Sequence, residues 1–227
     1  MRTDAGSSGL KVFAVPVVAV TAGLMTASCT DDQPVAKSTP PASSSSAAGP
    51  SMTFDEAYRR VPMNGTKDLR ITWDLSGAPD TDEVLAARRS LAFMYWEGQA
   101  TDWTPIIPVG RFVFTEGYYE KFLAPFANSS AVEDPLAGPI WVKFMGVEEN
   151  GADQSTVTFC TDIGYWLRAK DNTQVRKNRA NLESYVVKSV ESGEGERRWR
   201  GDRWINNDGS RKAKYGARCT QWAQHKR

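Results

Sequence analysis

At Pro139 the apolar residues of this chain stop recurring with a helical period and begin to alternate. Downstream, Ile140, Val142 and Phe144 alternate with Trp141, Lys143 and Met145. Asn150 and Gly151 lie in the polar stretch 148–154, and Val157 and Phe159 resume the pattern beyond it, which predicts a β-hairpin. Further strands are expected at 165–170, 181–190 and 197–205, with Gly193 and Gly195 between the last two and a short final segment ending at Cys219. Upstream the pattern is mostly helical. Residues 54–60 read as a short helix with Thr53 as N-cap and Glu56 completing a capping box. Leu69, Ile71, Trp73 and Leu75 alternate as one strand face. Asp80 is placed to cap a helix running to about 96, with Glu83 as its box partner and Val84, Ala87, Leu91, Met94 and Tyr95 as its buried stripe. A loop holding Pro105 and Pro108 follows. Thr115 then caps a helix in which Tyr118, Phe122 and Phe126 share one side, with Tyr119 and Leu123 beside them and Pro125 limiting its end. Helices first and strands second is the order of an α+β domain, and residues 54–227 suit one such domain.

The first 53 residues follow different rules. Arg2 and Lys11 precede an uncharged run at 12–25, whose 14 residues fall short of the roughly 20 needed to span a bilayer core. A short apolar run behind a basic start reads as a secretory signal. It ends in Thr26, Ala27, Ser28 and Cys29, which resembles a bacterial lipobox. The resemblance implies cleavage of a signal peptide at 1–28 and diacylglycerol on the Cys29 thiol. Residues 29–53 are rich in Ser, Thr, Pro and Ala, a composition that cannot offset the entropy of ordering, so they read as a disordered tether. The implied address is the outer face of the bacterial cytoplasmic membrane.

The folded part resembles the NTF2-like (SnoaL-like) cone, and in particular small Gram-positive bacterial lipoproteins built on it. The residues that carry the resemblance are the hairpin 139–160, the run Cys160, Thr161 and Asp162, the pair Tyr165 and Trp166, the long strand around Tyr185, and Cys219. Segments 74–80 and 158–166 match most specifically, and the likeness covers most of 80–222. It implies N-terminal helices packed on a curved antiparallel sheet. It implies no single activity, because enzymes, binding modules and inert accessory domains share the cone.

With Cys29 taken by lipid, the odd cysteine count leaves Cys160 and Cys219 in an oxidising compartment, which favours a disulfide over two buried thiols. His225 is the one histidine, which argues against histidine metal sites and a Ser-His-Asp triad. No cofactor or metal motif is present. The family's acid–base enzymes place Asp, Tyr or His inside the cone. Here that makes Asp162, Tyr165 and Asp102 the catalytic candidates, with Tyr95, Tyr118 and Tyr119 behind them. The plainer reading of Asp162, beside a turn, is a cap or structural acceptor. Eight Trp line either an apolar or sugar-binding pocket or an ordinary core. Residues 54–167 carry 9 Lys+Arg against 17 Asp+Glu (net −8), and residues 168–227 carry 16 against 7 (net +9). In the basic part Arg197, Arg198, Arg211 and Lys212 are candidates for contact with anionic lipid head groups or wall polymers, or else balance the acidic half of the same domain. The near-zero net charge of the whole chain gives no case for nucleic acid. The expectation is a lipid-anchored accessory or binding protein without catalysis. The alternative is an isomerase-, cyclase- or hydrolase-like enzyme using a carboxylate and a Tyr in the cone cavity.

Overall fold

The computed structural model describes residues 52–129, 134–174, 179–192, 195–205 and 209–226. The export segment, Cys29 and nearly all of the tether lie outside these residues, as does Gly193.

Helix α1, Phe54–Arg60, carries the expected capping box: the Glu56 N–H donates to Thr53 Oγ1 (3.3 Å), and the Thr53 N–H donates to the Glu56 carboxylate (2.8 Å). Strand β1 covers Ile71–Asp74. The long helix α2 covers Asp82–Gln99, so the expected cap is corrected. Thr81, not Asp80, is the N-cap; its side chain makes no capping hydrogen bond, and Glu83 completes no box. What supports this start is charge, because Asp82 and Glu83 fall in the first turn, where the helix dipole favours carboxylates. The buried stripe is broader than expected and includes Ser90, Ala92 and Phe93. The expected loop also holds a helix, α3, Ile107–Val113. Pro108 sits in its first turn, where a missing N–H has no partner to lose, so proline opens this helix and does not break it. In α4, Glu116–Phe122, the Tyr118 N–H donates to Thr115 Oγ1 as expected (3.4 Å). The buried side is that of Tyr119 and Leu123, whereas Phe122 and Phe126 remain about half exposed.

Strand β2 (Leu136–Ala137) pairs with β5 (Leu167–Arg168) as a small ribbon, so the strand expected at 165–170 shrinks to two residues. The main sheet holds β3 (Ile140–Glu149), β4 (Gln154–Asp162), β6 (Ala180–Glu191) and β7 (Arg197–Ile205) in the order β1-β3-β4-β6-β7. The pairs are antiparallel except β1 with β3, which run parallel with Ile71 opposite Ile140. Gly151 turns the β3–β4 hairpin at φ 118°, a region that favours glycine. The register slips beside Met145 and again between Val186 and Val187, and such bulges increase local twist. The sheet curls strongly into a half-barrel with helices packed on it, a mixed α+β architecture.

Strand parity sorts the core into two layers. Ile140, Val142, Phe144, Val157, Phe159, Tyr185 and Val187 join the stripes of α2 and α3 in one cluster. Met145, Cys160 and Leu182 form a second cluster with Tyr215, Cys219 and Ala223. The latter three come from α5, Gly209–Trp222, and the chain past it, where the sequence suggested only a short segment. Cys160 and Cys219 join β4 to α5 as a disulfide, with Cα atoms 5.4 Å apart.

Candidate functional site

The alternation that fills the core with Tyr185 and Val187 also brings Asn181 and Glu183 of β6 to the same side of the strand. Glu183 is only 5% exposed. Its register partner is Phe159, and Thr161 stands opposite Asn181. Four donors meet its carboxylate. Thr161 Oγ1 (2.8 Å), Asn181 Nδ2 (3.0 Å) and the Tyr95 hydroxyl from α2 donate to Oε1, and the Tyr185 hydroxyl donates to Oε2 (3.2 Å). No cation among the described residues forms an ion pair with it. Oε1, with three donors, is crowded, while Oε2, with one, keeps capacity. Burial, reinforced by the adjacent carboxylate, holds the Tyr185 hydroxyl well above the ordinary phenol range, so it stays protonated and donates.

This cluster forms one wall of a cavity of about 180 Å³, lined also by Leu69, Met94, Ile163, Trp166 and Trp204. Trp204 is 42% exposed, so the cavity reaches the surface. Trp166 is 9% exposed, and its indole N–H is buried without a hydrogen-bond partner among the described residues. A buried donor left unsatisfied costs about 1–3 kcal/mol. The site therefore combines apolar walls, a tryptophan whose indole N–H has no partner among the described residues, and one carboxylate oxygen with room for another donor.

The chain matches no protein-family model, no curated protein and no solved structure.

Of the residues singled out from sequence, Tyr95 belongs to this cavity. Asp162 does not line it. It is fully buried, and its carboxylate accepts from Arg179 Nε (3.3 Å) and Nη2 (2.8 Å), from the Gly164 N–H (3.1 Å) and from the His225 N–H (3.1 Å). His225 Nδ1 lies 3.0 Å from the same carboxylate, and its ring stacks on Trp141. Asp162 thus acts as a structural acceptor that pins the end of the chain. Tyr165 lies beside that cluster under the Arg179 guanidinium, 4.9 Å from ring centre to Cζ. Asp102 is exposed and caps the Thr104 N–H (2.9 Å). It borders a concavity of about 380 Å³, whose described lining holds two exposed carboxylates, Asp68 and Asp102, and no Lys, Arg or His. Tyr119 is core, and Tyr118 stacks on Phe114.

The basic residues are engaged within the domain. Arg197 pairs with Asp153 (2.7 Å), Arg198 with Glu196 (2.7 Å) and Arg211 with Glu148 (3.4 Å), while Lys212 is exposed. Glu183 was passed over in the sequence. The available signal was its parity: a charged residue on the same face of a strand as Tyr185 and Val187 is either buried and satisfied or part of a site.

Proposed function

We propose that the domain is the ligand-binding module of an exported lipoprotein, built as an NTF2-like cone and anchored through lipid on Cys29 at the outer face of the cytoplasmic membrane. Its ligand is a small ring compound bearing an acceptor oxygen and a hydroxyl or N–H donor. The observation that carries this reading is a cavity lined by Trp166 and Trp204 together with the buried Glu183 carboxylate, the Trp166 indole N–H having no hydrogen-bond partner among the described residues. An apolar cavity of about 150 Å³ accommodates benzene, so about 180 Å³ suits a single substituted ring. Trp166 and Trp204 supply the flat apolar contact, Trp166 Nε1 donates to the acceptor oxygen, and Glu183 Oε2 accepts from the donor.

The lone pair left on Glu183 Oε2 can receive a ligand's hydrogen bond or a proton, since Oε1 is taken by Tyr95, Thr161 and Asn181. Binding is favoured because the other polar group assigned to the ligand, the Trp166 indole of the lining, is a donor only and moves no proton. The second reading, an enzyme that uses this carboxylate with a tyrosine, draws on the direct hydrogen bond between Tyr95 and Glu183 within the same cavity. Titration of phenols, cyclic ketones and hydroxylated rings, followed by tryptophan emission and thermal shift, tests both. Saturable binding that Trp166→Phe weakens by about five- to tenfold, with the titrant recovered unchanged, is expected. Turnover that Glu183→Gln abolishes would move the assignment to the enzyme. No binding by any ring compound would leave the cavity without the proposed role.

A further inference from the structure

A second concavity, separate from the tryptophan-lined one, lies where α1, α2 and β7 meet. Phe54 and Tyr58, one turn apart on α1, hold their rings 5.8 Å apart. Arg89 of α2 lies over the Tyr58 ring, its Cζ 3.6 Å from the centroid. Arg198 and Arg200 of β7 lie over Phe54 at 5.0 and 4.5 Å. Arg198 pairs with Glu196. Arg89 and Arg200 form no ion pair among the described residues. Arg200 Nε and the Tyr58 hydroxyl are buried with no hydrogen-bond partner among them.

Stacking on rings attracts a guanidinium, but it supplies no acceptor, and a guanidinium can only donate. Three cations therefore crowd two aromatic rings, and for Arg89 and Arg200 no carboxylate among the described residues completes an ion pair. Burial lowers the pKa of Arg89 and Arg200, with Arg198 adding repulsion to both. Burial also raises that of the Tyr58 phenol although three arginines act on it. The adjoining space is about 260 Å³, bordered by Tyr58, Leu85, Arg89, Arg198 and Trp199. Arg197 also borders it but is held by Asp153. Two carboxylates, Asp82 and Glu196, border it as well; Glu196 is held by Arg198, and both oppose an anion and keep its affinity modest.

We propose that this concavity binds a phosphate group, with Arg89 and the Tyr58 hydroxyl holding its oxygens, and with Arg198, paired to Glu196, and Arg200 adding their charge from β7. The two donors come from different helices, and the added charge comes from a strand. That arrangement suits a tetrahedral oxyanion better than a flat carboxylate, and guanidinium forks match phosphate oxygens in pairs. The same chemistry is offered by free phosphate and by the phosphomonoester of a lipid.

Inorganic phosphate and short-chain phosphatidic acid, titrated separately into the full chain in neutral detergent at low ionic strength, test the site by calorimetry and by Trp199-sensitive emission. One saturable site is expected for inorganic phosphate, weakened at least about tenfold by Arg89→Gln and about three- to tenfold by Tyr58→Phe. Arg89→Lys should fall between wild type and Arg89→Gln, because it keeps the charge and loses the fork. Phosphatidic acid displacing phosphate identifies a lipid phosphate as an occupant; failure to displace it identifies free phosphate. Absence of saturable binding, or binding that Arg89→Gln and Tyr58→Phe leave unchanged, overturns the proposal. Should Arg89→Gln fail to fold, Tyr58→Phe decides alone, since it removes one oxygen from a side chain whose ring packing is kept.

Discussion

Asp162 is wholly buried, yet its carboxylate gathers donors from the adjoining turn, from Arg179 ahead of β6 and from His225 near the end of the chain. Burial pushes the carboxyl up, but the hydrogen bonds from Arg179, Gly164 and His225 outweigh it and hold it below the usual carboxylate range. A depressed native pKa contributes stability that is complete above the unfolded value of about 3.9 and disappears as pH falls through the native value. Asp74, beside Lys143, is likewise lowered to about 2, and its partly exposed, solvent-screened contribution falls in the same window. Asp162→Asn should therefore cost about 3–5 kcal/mol near neutral pH, because it strands a half-buried guanidinium. It should also flatten the loss of stability below about pH 4. Urea unfolding across that range is the measurement; parallel curves for wild type and variant would refute the assignment. From the sequence Asp162 was a catalytic candidate or a structural acceptor, and the choice turned on partners 17 and 63 residues away that no local pattern reveals. Glu183 has the same difficulty: its hydroxyl partner Tyr95 is 88 residues distant.

Among the elements, those with local chemistry were legible. The capping box of α1, the Thr115 cap of α4 and the Asn150–Gly151 turn each fix backbone geometry within a few residues. Helix α5 was not legible because its buried stripe is narrow: Tyr215, Cys219 and Ala223 at four-residue spacing in an otherwise polar segment. So thin a stripe gives α5 little apolar area of its own, and the covalent link to Cys160 carries much of its attachment. The bridge closes a separation of 59 residues, worth about 4 kcal/mol in the chain-entropy model. Replacing both cysteines by Ala should lower stability by roughly that amount. Hydrogen exchange should then rise first in α5 and in the His225 contact with Asp162, and later in the β4–β6 ladder. Uniform loss of protection across α5 and the sheet would mean that the bridge supports the whole domain and not this helix.

At the scale of the molecule, the two oppositely charged halves of the domain are one electrostatic unit. Arg179 meets Asp162, Arg197 meets Asp153, and Arg211 and Lys214 meet Glu148, so these four cations of the basic half are held by carboxylates of the acidic half. With that charge engaged inside the fold, attraction to an anionic surface is a weak source of membrane attachment. Screened rim charges hold poorly at physiological salt, where the Debye length is about 8 Å. On the proposed lipoprotein reading, stable attachment comes from Cys29, where lipid chains would contribute about 0.8 kcal/mol per buried CH₂. A tether over 29–53 would give the domain a reach of roughly 25–30 Å from that anchor. Cys29→Ala should accumulate as unprocessed precursor or be shed, and any shed domain should stay soluble at physiological salt. Membrane fractionation with and without a salt wash separates the possibilities. A mature-sized Cys29→Ala protein that stays with membranes and leaves them only in high salt would place the attachment in the basic surface of Arg197, Arg198, Arg211 and Lys212. One that resists the wash would require an apolar contact that neither the lipid nor the charges supply. Either result would end the lipoprotein reading, because a thioether-linked anchor has no other thiol to use once Cys160 and Cys219 are joined.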